Sequence, residues 1–180
     1  MKIITIVGSI REESLNKQLA LTIQERYQDK FNMDILDIKP LPFYNQDEEN
    51  NPPQSVLEFK KNVAEADAVL FITPEYNWSI PGVLKNAIDW MSRVDKVLAG
   101  KPVMLAGAAG GPMGTIRAQM HLRQILSGQQ VNMMPPAGNE ILIGFANQKF
   151  NSGRLTDEAT LTFLDGIIDK FVDFVAAQSK

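Results

Sequence analysis

Apolar, β-branched runs return along this chain at intervals of one strand plus one helix. That spacing constrains the fold more than any other feature. The first four runs are Ile3 to Val7, Met33 to Ile38, Ala68 to Thr73 and Val103 to Gly107, so their starts lie 30, 35 and 35 residues apart. One βαβ step has that length, and a repeat of such steps predicts a parallel sheet with helices on both faces. Strands buried on both faces read as continuous apolar runs, as the first and third do here. A fifth strand is expected in two pieces, Val131 to Met134 and Ile141 to Ile143.

The segments between these runs carry helical spacing. Leu15, Leu19 and Ile23 follow Ser14, which is placed as an N-cap. Ser55-Val56-Leu57-Glu58 matches a capping box ahead of Phe59 and Val63. Val83, Leu84, Ala87, Ile88 and Met91 form a stripe after Pro81, a residue tolerated in a first turn. Ile116, Met120 and Leu126 precede Gly128, a suitable helix stop. A last helix is expected to start at Thr156-Asp157-Glu158 and to bury Leu161, Leu164, Ile168, Phe171 and Val175. The polar stretch from Asn45 to Pro53 is expected to be a surface loop. No repeat or linker interrupts the series, so residues 1–180 are expected to form a single domain.

Composition removes several kinds of chemistry. The chain has no cysteine and one histidine, which excludes disulfides, thiol catalysis and multi-histidine metal sites. A net charge of -3 argues against a broad nucleic-acid surface. The first apolar run has no small-residue cleavage site after it and reads as a strand; no stretch reaches the ~18 apolar residues of a membrane span. The expected location is therefore the cytoplasm.

In open parallel sheets, ligands bind beyond the carboxyl ends of the strands. Three loops lie there. The first runs Gly8-Ser9-Ile10-Arg11-Glu12-Glu13-Ser14-Leu15-Asn16-Lys17, from a strand into a helix start. Free backbone N–H groups and the positive helix end favour an anion there, and Arg11 can add a charge-assisted contact to phosphate. A plain polar turn capped by Ser14 is the competing reading. The chain has neither G-x-G-x-x-G nor G-x-x-x-x-G-K-[ST], so dinucleotide-type and P-loop phosphate sites lose their support. The second loop, Thr73 to Gly82, offers Tyr76, Asn77 and Trp78 between prolines, which suits a flat heteroaromatic ring with polar edges. Core capping or an oligomer contact is the alternative for both aromatics. The third loop, Gly107 to Gly114, is glycine-rich and permits close approach of backbone to a ligand.

Taken together, the loops resemble the NADPH-dependent FMN reductase family, whose members include flavin, quinone, azo-dye and chromate reductases. The resemblance is carried by Gly8-Ser9-x-Arg11-x-x-Ser14-x-Asn16 and by Pro74-Glu75-Tyr76-Asn77-x-Ser79-x-Pro81-Gly82-x-Leu84-Lys85-Asn86-x-x-Asp89-Trp90. Gly110-Gly111, Arg117-Ala118-Gln119 and Leu122-Arg123 extend it. It implies a flavodoxin-like, doubly wound α/β fold with a five-stranded parallel sheet in the order 2-1-3-4-5. It implies FMN as cofactor, with NADPH or NADH as co-substrate. It places Ser9, Arg11, Ser14 and Asn16 on the FMN phosphate. Pro74, Glu75, Tyr76 and Asn77 would contact the flavin, largely through backbone, and Gly110 and Gly111 would line its other edge. Ala108 and Ala109 depart from the pattern, falling where relatives often carry serine, so a side-chain hydrogen bond is missing there. A homodimer or homotetramer is also implied.

Other residues draw plainer expectations. His121 falls within a helix, away from the three loops, and reads as structural or exposed. Asp89 and Trp90 are expected to pack or hydrogen-bond across a subunit contact. Arg117 suits either a substrate phosphate or a surface ion pair, and Glu12 and Glu13 should face solvent. No side chain is assigned as catalytic, because the cofactor carries the hydride chemistry. Two functions stand side by side. One is an enzyme passing hydride from a reduced nicotinamide through FMN to a small acceptor. The other is a flavodoxin-type electron carrier meeting a protein partner, and the modest charge and Arg11 favour the enzyme.

Overall fold

The structure is a computed structural model and describes residues 1–178. Its main strands are β1 (Lys2–Val7), β2 (Asn32–Leu36), β3 (Ala68–Ile72), β4 (Pro102–Ala108), β5 (Asn132–Met133) and β6 (Ile141–Ile143). The helices are α1 (Leu15–Arg26), α2 (Gln54–Ala64), α3 (Gly82–Met91), α4 (Ile116–Ser127) and α5 (Glu158–Gln178). The sheet order is β2-β1-β3-β4-β5, all parallel, and β6 also pairs with β4. The split fifth strand is real: β5 and β6 run along successive parts of β4, separated by the Met134–Glu140 segment.

Alternation along the central strands sorts side chains between two cores. Ile3, Val7, Leu70 and Ile72 face one side, packed by Leu19 and Ile23 of α1 and by Leu164, Ile168 and Phe171 of α5. Ile4, Ile6, Val69 and Phe71 face the other, packed by α2, α3 and α4 through Val56, Phe59, Leu84, Ile88, Ala118 and Leu122. The doubly wound α/β architecture expected from the spacing is therefore present.

Several local expectations change. Ser55 does not cap α2; Pro53 precedes the helix with φ -57° and ψ 154°, and no side chain caps it. Proline's fixed φ already sets the entry, so the helix begins one residue before Ser55. Met120 is 63% exposed and lies off the buried stripe of α4. Trp90 is 1% exposed within this chain, where its indole N–H donates to the Pro42 carbonyl at 2.9 Å. Tyr44 meets its ring edge-on at 5.1 Å. Asp89 pairs with Lys85 one turn back at 2.7 Å. Both residues thus find partners inside the chain. The Asn45 to Pro53 loop holds a short 3₁₀ turn, Gln46–Glu48. A small antiparallel hairpin of β7 (Phe150–Asn151) and β8 (Arg154–Leu155), unforeseen in the sequence, leads into α5.

Candidate functional site

The carboxyl ends of β1, β3 and β4 bring the three loops together. The tie between the first and third is Asn16. Its side-chain N–H donates to the Ala108 carbonyl at 2.9 Å, and its Oδ1 accepts from the Ala108 N–H at 2.9 Å. Asn16 is 3% exposed, so this two-point clamp sits in the interior. Its amide thereby registers the start of α1 against the end of β4.

Loop one is a cradle of unspent donors. Gly8 N–H donates to Ile72, which anchors the loop beside β3. Ser14 caps α1 by accepting from the Lys17 N–H at 3.3 Å, as the sequence predicts. Among the described residues, no protein acceptor takes the backbone N–H groups of Glu12, Glu13, Leu15 or Asn16. Arg11 is exposed; one guanidinium N–H donates to the Glu13 carbonyl at 2.9 Å, which arches the side chain over the loop. Ser9 is half-buried beside it, and Glu12 and Glu13 are exposed. A strand end, a helix start, free N–H groups, two hydroxyls and one guanidinium are the donor set of a phosphate monoester site.

Loop two is held rigidly. Asn77 and Trp78 have φ of 50° and 62°, and Tyr76 and Ser79 exchange both backbone hydrogen bonds at 3.0 and 2.9 Å. Two consecutive left-handed residues closed by such a pair form a type I′ turn. The Glu75 carboxylate reaches the start of α4 and accepts from the N–H groups of Arg117 and Ala118 at 2.9 and 3.1 Å. Glu75 therefore caps α4 in place of Thr115, whose side chain makes no cap bond. Its Oε2 is committed there, and its Oε1 stands 3.9 Å from the Arg117 guanidinium. The Arg117 guanidinium stacks on the Trp78 ring at 4.1 Å. Ser79 Oγ lies 3.0 Å from His121 Nδ1. His121 is on α4 and exposed, as expected, yet it meets loop two rather than standing away from it. Four residues along a helix put Arg117 and His121 on one face, and that face is turned to the loop.

Loop three presents backbone. Gly110 and Gly111 are exposed, and a Cβ at Gly111 would meet nothing within 4 Å. A Cβ at Gly110 would come 3.0 Å from the Asn147 amide nitrogen, so that glycine accommodates a neighbouring loop. That neighbour, Gly144 to Gln148 after β6, carries functional geometry that sequence reasoning missed. Its Phe145 N–H donates to Gly111 and its Ala146 N–H to Ala109, at 3.1 and 3.0 Å. Phe145 adopts φ 50° and is half exposed. The signal available was a glycine directly after the β6 run, at another strand's carboxyl end.

A separate cleft of about 760 Å³ opens on the β2 side of loop one, lined by Ser9, Arg11 and Lys17 together with Asp34 to Lys39. It shares no residue with loops two and three. Among the described residues there is no cluster of acidic, histidine or cysteine side chains able to hold a metal ion.

Several proteins of named activity are similar to this chain over nearly its whole length. A subunit of an NADH:(hydroxy)cinnamate reductase from Vibrio ruber is 36% identical, with 100% of this chain and 90% of the relative covered. A 2-hydroxy-1,4-benzoquinone reductase from a Burkholderia species is 38% identical, with 97% and 96% covered. The solved structure of FerB, a flavoenzyme NAD(P)H:(acceptor) oxidoreductase from Paracoccus denitrificans, superposes with a TM-score of 0.90 at 37% identity, covering 98% of each chain. The family model described as NADPH-dependent FMN reductase matches residues 1–148, which hold all three loops and every strand of the parallel sheet. By fold and sequence, this chain belongs to the NADPH-dependent FMN reductase family.

Proposed function

We propose that the chain passes hydride from NADPH or NADH through FMN to a small acceptor such as a quinone, a free flavin, an azo compound or a metal oxyanion. Membership of the family makes the chain an NAD(P)H-dependent oxidoreductase that works with FMN. The residues that hold the cofactor and the kind of acceptor are the proposal's own content. The observation that carries it is the run of free N–H groups beneath Arg11 in loop one, joined by the Asn16 clamp to an exposed glycine backbone in loop three.

In this reading Ser9, Arg11, Ser14 and the free N–H groups of loop one take the FMN phosphate. Asn16 supports that site by fixing the loop, since its own amide is engaged by Ala108. The N–H groups of Glu75 and Asn77 have no protein acceptor among the described residues and would be available to the polar edge of the ring. Pro74 and the Tyr76 backbone complete that side, with Gly110 and Gly111 opposite. Bound there, FMN supplies two-electron chemistry on a flat, exposed ring, with the protein contributing position and charge. No side chain in the three loops is needed as acid or base. The names of the relatives point to conjugated carboxylates and quinones as acceptors.

Residues 1–180 would carry this activity as one domain. No helix among the described residues is long and apolar enough to cross a membrane, and a cytoplasmic location belongs to the proposal. Self-association into a dimer or tetramer belongs to it too; exposed Phe43 and Met120 offer apolar surface for burial, and sedimentation velocity reads the assembly. Steady-state kinetics test the enzyme directly. NADH or NADPH varied against a quinone should give parallel double-reciprocal lines, because donor and acceptor use one ring face in turn. Reduction by neither nicotinamide, with fast electron exchange to a protein partner, would instead establish the carrier.

A further inference from the structure

Arg117 stands beside the site with no part in the chemistry described above. The guanidinium lies 4.1 Å over the Trp78 ring, and Trp78 is 68% exposed at the turn's tip. Stacking of this kind fixes a guanidinium flat while leaving its in-plane N–H groups free. Among the described residues none of those N–H groups makes a hydrogen bond; the guanidinium has a long surface ion pair with Glu75 Oε1 at 3.9 Å, the plainer role expected from the sequence. That carboxylate is itself drawn to the backbone of Arg117 and Ala118. The local balance is therefore one oriented guanidinium plus the positive end of α4 against a single carboxylate, whose Oε2 is spent on the helix start. A flexible surface arginine would lose rotamer freedom on meeting an anion, whereas this one has already lost it. Trp78 and Tyr76, 52% exposed, add aromatic faces beside the proposed ring bed.

We propose that Trp78 and Arg117 form a subsite for an anionic group borne by a flat aromatic acceptor. The enzyme then favours quinones carrying a carboxylate, sulfonate or ionised hydroxyl over their neutral parents. The subsite rests on the oxidoreductase reading above and adds the acceptor's charge to it. The type I′ turn that holds Trp78 at φ 62° fixes the indole where it meets Arg117. The phosphate of NADPH has the same anionic chemistry, so the test separates donor from acceptor.

The experiment uses the FMN-loaded enzyme with NADH as donor, and compares 1,2-naphthoquinone-4-sulfonate with 1,2-naphthoquinone. Two variants are made, Arg117→Gln and Trp78→Gly; glycine suits a positive φ, so the second relieves strain while removing the indole. Flavin fluorescence checks that each still binds FMN. The ratio of kcat/KM for sulfonated over neutral quinone should fall about fivefold in Arg117→Gln, the upper range for an exposed charge pair. Trp78→Gly should move the ratio the same way by a smaller factor, mainly through KM. An unchanged ratio in both variants overturns the subsite while leaving the oxidoreductase reading intact. A changed NADPH-over-NADH preference with an unchanged acceptor ratio also overturns it, assigning Arg117 to the donor. Loss of FMN binding in Arg117→Gln overturns it by moving Arg117 into the cofactor site. Wild-type enzyme that reduces neither quinone overturns the subsite, and only if free flavin, an azo compound and a metal oxyanion also fail does the oxidoreductase reading fall with it.

Discussion

Asn16 contributes more to the site through the Ala108 backbone than through any group it could offer a ligand. Both of its hydrogen bonds are buried, and both partners are main-chain groups that have no other use for their polarity. Truncation to Asn16→Ala leaves an N–H and a carbonyl unpaired in the interior, at about 1–3 kcal/mol each. Urea unfolding should show a loss of about 2–6 kcal/mol, with FMN affinity falling because loop one is released from loop three. Stability within 0.5 kcal/mol of the parent, roughly the scatter of neutral surface changes, would refute the clamp. The sequence shows Asn16 as a polar residue in a phosphate-type loop, and that much is legible from residue types. Its commitment to a residue 92 positions away is not, because hydrogen bonds across the sheet follow from packing rather than from local pattern. Glu75 and His121 show the same gap: each reaches a partner 42 residues distant on the other side of loop two.

Among the elements, α1 and α5 share one core face, and their exposed edges are joined by a polar cluster. Arg26 donates twice to Asp165, both at 2.8 Å, and the Tyr27 hydroxyl donates to the same carboxylate at 2.8 Å. Arg26 above all holds the Asp165 carboxyl down at about 2, against an ordinary 3.8; burial works in the opposite direction and Tyr27 assists Arg26. The Tyr27 hydroxyl is in turn pushed up, by burial first and then by Asp165. A carboxyl depressed in the folded state stabilises at pH above its unfolded value and loses that contribution as pH falls through its folded one. Asp165→Asn should thus cost stability at pH 7, no more than about 1 kcal/mol because the pair is over a third exposed. The difference should shrink as pH drops from about 4 toward 2. Paired urea titrations at pH 7 and pH 2.5 check it; a gap that widens on acidification would contradict the assignment. At this scale the five helices were readable from apolar spacing, since buried stripes impose it. The start of α2 misled because Ser55-to-Glu58 imitates a capping box, while Pro53 sets the boundary by its ring. The β7–β8 hairpin escaped notice because each strand has two residues, too few for any periodicity.

Across the whole molecule, the 30–35-residue spacing was enough to predict parallel strands with helices on both faces. Strand order and the cofactor came instead from the loop motifs and their family resemblance. The arrangement of the site lies between these levels, where four loops from different strands meet and each supplies a fragment. Loop one supplies charge and free N–H groups, loops two and three supply backbone edges, and the Gly144 to Gln148 segment braces loop three. The central claim is that the phosphate of FMN anchors in loop one under Arg11. Flavin fluorescence with FMN and with riboflavin, on the parent and on Arg11→Ala, tests it most directly, since the two ligands share a ring and differ by the phosphate. A hydrogen bond to a charged group is worth ~1.5–3 kcal/mol, so FMN should bind roughly 10- to 150-fold more weakly while riboflavin affinity stays nearly constant. Equal losses for both ligands, or no loss for either, would contradict the account and remove Arg11 from the phosphate site.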